Sequence, residues 1–461
     1  MAEPTVAGQL ADFAHGFRLD DAPPTLIEKA KLHVLDTLGC ALAGSVTDYA
    51  DRSFAALARL DSGTGSVAIG QAQTLGLESA IRFNAGIGHM LDFDDTHTTT
   101  LNHVSVSAVP LILALGAHQE ASGSDLLAAY LVAAETSCRI GLGVPGPAFL
   151  HRGVHPTGAL CVFGCALGAG KLFGLDKDQF SHAQGIALGF AAGSMEWQRD
   201  GAEAKRQHPG NAAAGGLLAA SSAGAGITGP RLPYEGKAGL YRLFLGGEAG
   251  IDTAAICASL GKEWAFEDVS IKPFPLVHHV HGVIDCALRL VHEEGITPGD
   301  IARLTVHLAE EQIPILAEPA AEKRNPSNEY QGIFSVYHTV ATAFARGAMT
   351  LAETGTELLD DPVIAALRQK TDVRVNAGSL YPRYYSGGVT ATLRDGRTVE
   401  RFEKYHPGSD RRPLSAEAIV AKFHANAGQV LGAARIGEIE DAVLSLEDKS
   451  GPAVSTLLGG S

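Results

Sequence analysis

"EDVSIKPFPL", residues 267–276, marks the point at which the chain changes character. Upstream of it the sequence reads as helix after helix. Downstream, apolar residues begin to alternate: in "ARLTVHLAEE" (302–311) Leu304, Val306 and Leu308 recur at period two, as in a half-buried strand. "GGVTATLRDGRTVERFEKY" (387–405) follows as a β-hairpin with Asp395-Gly396 at its turn. Helices at 276–294 and 334–347 sit among these strands, and the helical pattern returns from "RPLSAEAIVAKF" (412–423) onward. The reading is a mainly α protein: a large all-α domain over 1–267 plus 405–461, with a smaller α+β lid domain, 268–404, inserted before the C-terminal helices.

Within the first part, "DDAPPTLIEKAKLHVLDTLGCALAG" (20–44) carries Thr25 and Glu28 at capping-box spacing. Ile27, Ala30, Val34, Leu35, Leu38 and Leu42 then share one helical face. Further helices are expected at 52–60, 75–90, 106–119, 124–141, 156–173, 178–193 and 209–225. Their lengths and short Gly, Ser or Asp breaks suit an antiparallel bundle. The 54 glycines, with abundant alanine and few aromatics, suit helices whose backbones approach closely.

At 461 residues, 46% hydrophobic and 19% charged, the chain is globular and long enough for two or three domains. A formal charge of −15 argues against non-specific nucleic-acid binding, and requires a local basic pocket for any anionic substrate. The opening "MAEPTVAGQLADFAHGF" has neither a basic n-region nor an apolar h-region, so no signal peptide is expected. The longest apolar run, "GALCVFGCALGAG" (158–170), is shorter than the roughly 18 residues of a membrane span. Six cysteines in apolar contexts without a CxxC pair read as reduced, buried thiols, hence a cytoplasmic protein. "GLGVPG" (141–146) has dinucleotide-fingerprint spacing but follows a helical stretch instead of a strand, so no nucleotide cofactor is expected.

The chemistry concentrates in "HMLDFDDTHTTTLNH" (89–103): three carboxylates and three imidazoles between segments built for burial. A metal site, an acid/base site and a solvated loop are the candidates. No HExxH or comparable paired spacing occurs, so no metal ligands are assigned. The apolar flanks disfavour a solvated loop. Three further segments set cations and imidazoles in small or apolar surroundings. "HRGVHPTGAL" has His151, Arg152, His155 and Thr157; "AKRQHPGNAAAGG" has Lys205, Arg206, His208 and Asn211; "SIKPFPLVHHVHG" has Lys272 and His281. Two of these open helices, whose free N–H groups favour anions. Together they predict a cationic pocket for a small polyanion at a domain interface.

In this order the segments resemble the MmgE/PrpD family, which contains 2-methylcitrate dehydratase, cis-aconitate decarboxylase and iminodisuccinate epimerase. The likeness runs from about residue 5 to beyond residue 400. It implies a helical domain with an α+β lid, a homodimer, and no organic cofactor. It also implies a lyase or isomerase acting on a small di- or tricarboxylate by proton transfer beside a carboxylate. Matched residue by residue, it implies His103 as principal acid/base, Asp92 orienting it, Lys205 as a cationic clamp and His281 as second proton-transfer group. Thr96, His155, His208, Lys272 and Tyr337 would bind substrate. Asp94, Asp95 and the remaining threonines would hold the loop. Two departures stand out: Val104 follows His103 where the family has proline, and "FSVYHTVATAF" (334–344) offers Tyr337 or His338 for the family tyrosine. A metal-dependent enzyme using the 89–103 cluster is the second reading, and a non-catalytic polycarboxylate-binding protein the third.

Overall fold

The structure, a computed structural model, describes residues 5–60, 65–144, 147–246 and 250–460. It is mainly α and divides into two compact units, residues 1–271 with 415–461, and residues 272–414. Residues 405–414, read above as part of the helical domain, belong to the second unit. There the main-chain N–H of Tyr385 donates to His406 Nδ1 (3.1 Å), and Arg412 pairs with Asp285 (3.0 Å).

The first unit is a stack of helices around Pro156–Phe173, which packs against Gly123–Leu142 and His208–Gly224. Small residues permit these contacts. A Cβ at Gly164 would strike Ser137 and the Ala133 carbonyl, and one at Gly216 would strike Cys165 and Ala166. Pro156–Phe173 is apolar and long enough to cross a membrane, extending beyond the run read in the sequence, yet 83% of it is buried in this core. All six cysteines are free thiols. Gly141 closes the helix ending at Leu142 and Gly143 caps it; Pro145 and Gly146 of "GLGVPG" lie outside the described residues.

Helix Pro24–Gly44 departs from the expected cap. It starts one residue before Thr25, with Pro24 at its first position and no side-chain cap bond. Proline there has the φ a helix needs and no N–H to satisfy. Glu28 instead pairs with Lys31 at 2.7 Å.

The second unit holds a four-stranded sheet in the order 371–375, 301–308, 387–393, 398–403. Strand Ile301–Leu308 runs parallel to Thr371–Val375 and antiparallel to Gly387–Leu393, whose hairpin partner is Thr398–Glu403. Thr371–Val375 was not anticipated: it is short, largely unburied and charged, as edge strands commonly are. Helix His281–Glu294 packs on this sheet and on helix Val336–Arg346.

Candidate active site

The segment at which the chain changes character also anchors the ionisable stretch. Val269 and Ser270 form a short antiparallel pair with His97 and Thr96. Asp95, buried, fixes the same loop from beneath: its carboxylate contacts His33 Nδ1 (2.6 Å), the Ser105 hydroxyl and the Ser105 N–H (3.3 Å). Ser105 opens helix Ser105–His118, so Asp95 holds the loop by satisfying a helix-start N–H. Lys422, from helix Ala416–Ala427, donates to the Phe93 carbonyl (2.8 Å), lies over the Phe93 ring and pairs with buried Asp36 (2.7 Å). The C-terminal helices thus buttress the back of the site loop.

On the other side, Asp94 Oδ2 accepts from Nδ1 of His89 (2.8 Å) and lies 3.1 Å from Nδ1 of His103. His103 Nδ1 also lies 2.7 Å from the Asp95 carbonyl oxygen, which can only accept. Nδ1 therefore carries the hydrogen and Nε2 the lone pair. Thr96 Oγ1 sits 3.3 Å from the same nitrogen, and the His103 N–H donates to Thr157 Oγ1 (3.0 Å). The backbone turns through the left-handed region at Asp92 (φ 50°) and Leu101 (φ 59°). Left-handed backbone in residues other than glycine is costly and clusters at functional sites.

This geometry corrects the expected division of labour among the aspartates. The carboxylate on His103 Nδ1 is Asp94, read above as a loop residue. Asp92, on the left-handed turn, pairs with Lys205 at 3.1 Å, both buried. Lys205 also stands 5.2 Å from the Trp197 ring. His155 caps helix Pro156–Phe173, and His208 opens helix His208–Gly224. Their Nδ1 atoms are 3.0 Å apart, so two helix N-termini converge at one place. The rings of His89, His103 and His155 lie within 6.2 Å of each other.

Burial pushes His89 down to about 4 against the pull of Asp94, and likewise lowers His155. His208 falls to about 4 through burial and Lys205. Burial alone would raise the Asp94 carboxyl, but His89 and His103 hold it well below the usual range. The site thus gathers imidazoles that burial keeps neutral (His89, His155 and His208), the orienting Asp94 carboxylate and the Lys205 ammonium beside His103.

Of the residues read from the sequence, Asp92, Thr96, His103, His155, Lys205 and His208 come together in the first unit. Lys272, His281 and Tyr337 are in the second, all buried. His281 begins its helix and its Nε2 lies 3.4 Å from the Leu276 carbonyl. Tyr337 lies under the Arg324 guanidinium (4.2 Å to the ring), whereas His338 lines a small cavity with Leu276, Ile333 and Met349. Sequence reasoning missed His89 and Trp197 and passed over Asp94. His89 stands in the quoted stretch, but nothing in its spacing told it from His97, which instead accepts the Thr100 N–H within the loop (3.2 Å).

The second unit is expected to be sensitive to acid. Burial, with Arg412 and His279 adding to it, lowers His406 to about 3; burial and Arg368 lower His338 to about 4. In the unfolded chain both titrate near 6.5. Between these values the unfolded state holds more protons, so stability is full above about pH 6.5 and declines as the pH falls. Calorimetry should give a clearly lower melting temperature at pH 5 than at pH 7.5, with the gap narrowed in His338→Gln/His406→Gln. An unchanged melting temperature would contradict these assignments.

Comparison with known proteins covers most of the chain. The profile of the MmgE/PrpD N-terminal domain matches residues 8–251, and that of the C-terminal domain residues 274–448. The chain belongs to the MmgE/PrpD family. Within it, a cis-aconitate decarboxylase-like protein of Aspergillus oryzae is 26% identical over 96% of this chain and 95% of its own length. The cis-aconitate decarboxylase of Homo sapiens is 26% identical over 98% of this chain and 94% of its own. The mitochondrial 2-methylcitrate dehydratase of Yarrowia lipolytica is 28% identical over 35% of each chain. Both activities named are those of lyases, and this MmgE/PrpD chain is a lyase-type enzyme.

Proposed function

We propose that the enzyme is a lyase for a small tricarboxylate, that it moves a proton at the carbon beside a carboxylate with no organic cofactor, and that decarboxylation of a cis-aconitate-like substrate is its reaction. One observation carries the proton-transfer part. Asp94 and the Asp95 carbonyl fix the hydrogen of His103 on Nδ1, so Nε2 is held ready to exchange a proton. The near full-length likeness to cis-aconitate decarboxylases favours decarboxylation over dehydration, since the dehydratase match covers 35% of the chain.

The chemistry asks for little more. The C–C bond to the allylic carboxylate breaks, and carbon dioxide leaves. Its bonding pair becomes a new C=C bond, and the original double bond's pair shifts to the carbon beside a remaining carboxylate. That carbon takes one proton, from His103 Nε2–H once His103 is protonated, and solvent restores it. Imidazole suits this because its proton affinity lies near working pH. Lys205 and the two helix N-termini at His155 and His208 stabilise the negative charge spread over the remaining carboxylates. Asp92 holds Lys205 in place, and Thr96 donates to substrate.

The test is proton NMR of chelator-treated protein in D2O with cis-aconitate, 2-methylcitrate and iminodisuccinate separately. Loss of cis-aconitate with one deuterium in the product is expected. Conversion of 2-methylcitrate, or exchange in iminodisuccinate alone, would replace the substrate. No conversion of any compound would remove the proposal.

A further inference from the structure

We propose that His89, His103 and His155 also form a chelating site for a divalent transition ion of the zinc or cobalt(II) class, and that an ion there blocks the pocket instead of serving the reaction. Each imidazole offers one ring nitrogen, and the three nitrogens lie within 4.8 Å of one another, all buried. The inference rests on the proposed reading only in that metal and substrate contend for the same imidazoles.

Two independent features support a metal. The first is the outer shell. Asp94 engages Nδ1 of both His89 and His103, and metal-binding histidines characteristically carry a carboxylate or carbonyl on the nitrogen away from the ion. That leaves Nε2 of each as the nitrogen an ion would take. His155 has Nδ1 against His208, leaving its own Nε2 as the donor. The second feature is His89 Nε2, fully buried with no hydrogen-bond partner among the described residues. A buried polar nitrogen left so is costly unless a ligand takes its lone pair.

The chemistry of the donors selects the ion. Three imidazole nitrogens suit zinc, cobalt, nickel or copper, and disfavour magnesium or calcium, which take oxygen ligands. Zinc-class ions sit about 2.0–2.1 Å from each nitrogen and leave a fourth position open when three histidines bind. The three nitrogens therefore draw inward on binding. Charge does not oppose it: among the residues described around the pocket, the Asp92 and Asp94 carboxylates outnumber the Lys205 ammonium. With its lone pair on the ion, His103 Nε2 can neither accept nor deliver a proton, so occupancy stops turnover.

The test is titration of chelator-treated full-length protein with cobalt(II) chloride, without substrate, followed by the visible absorption of the bound ion. Saturation at one ion per chain is expected. His89→Gln and His155→Gln should each weaken binding tenfold or more, and Asp94→Asn by about 10- to 100-fold. Circular dichroism verifies that each variant is folded, and three variants in different elements guard against one failing to fold. Turnover should fall in proportion to cobalt occupancy and return on adding chelator. No absorption change at millimolar cobalt, or wild-type affinity in the folded variants, would overturn the site. Turnover of the metal-free enzyme tests the lyase reading separately, so a cobalt site without any turnover would sink that reading and leave this one standing.

Discussion

His103→Ala is expected to lower kcat by about 10²- to 10⁴-fold, the range over which a positioned general acid or base acts. Its main-chain N–H bond to Thr157 and the bonds of the Asp95 carboxylate to His33 and Ser105 do not involve the ring, so the fold should survive. Asp94→Asn should cost less, about 10- to 100-fold. The Asp95 carbonyl still holds the His103 hydrogen on Nδ1, while His89 loses its anionic partner. The order of effects is the informative part. If His103 is the proton-transfer group and Asp94 acts through it, Asp94→Asn lowers kcat with little change in KM, and shifts the pH profile of kcat. Steady-state kinetics across pH on both variants decides this. Near-normal turnover in His103→Ala would remove it from the mechanism, and a pure KM effect in Asp94→Asn would make it a binding residue.

Lys422→Met should destabilise the first unit by about 3–5 kcal/mol, the range seen when one partner of a buried ion pair is removed. The side chain is almost wholly buried, and its removal strands Asp36 and the Phe93 carbonyl together. Burial already pushes the Asp36 carboxyl up to about 6, even with Lys422 pulling it down. Without the lysine it rises further. The sign follows from linkage: a carboxyl whose folded value exceeds its unfolded value near 3.9 favours the fold when protonated, and this contribution is lost as the pH rises. The variant's deficit should therefore be small near pH 4 and grow towards pH 8. Asp36→Leu/Lys422→Met should recover most of the loss, since a buried ion pair exchanges with apolar residues at little cost. Denaturant melts at several pH values measure all three. A deficit under 1 kcal/mol at pH 8 would show that Lys422 does not buttress the loop.

How far the sequence could be read depended on the range of the interaction. Periodicity located helix after helix because each helix is specified by its own apolar stripe: 105–118, 156–173 and 208–224 fall almost where the pattern put them. The hairpin 387–403 was equally legible, because Asp395-Gly396 is a local signal. Where two local signals competed, as at Pro24 and Thr25, proline's fixed φ decided the start. The edge strand 371–375 was missed because its pairing partner, 301–308, is remote and its own residues do not alternate. Residues 405–414 were assigned to the wrong unit for a related reason: only their bonds to Tyr385 and Asp285 say where they belong.

The site divides the same way. The sequence by itself determined that acids and imidazoles would be enclosed in a mainly helical protein, and which short segments would carry them, because burial of the flanking residues is written in composition. Only the tertiary structure decided which aspartate serves which base. Asp92, Asp94 and Asp95 are neighbours in the chain, yet they reach Lys205, the His89–His103 pair, and His33 with Ser105, respectively. A left-handed turn at Asp92 and partners up to 113 residues away in sequence set those directions, and neither leaves a mark in a local pattern.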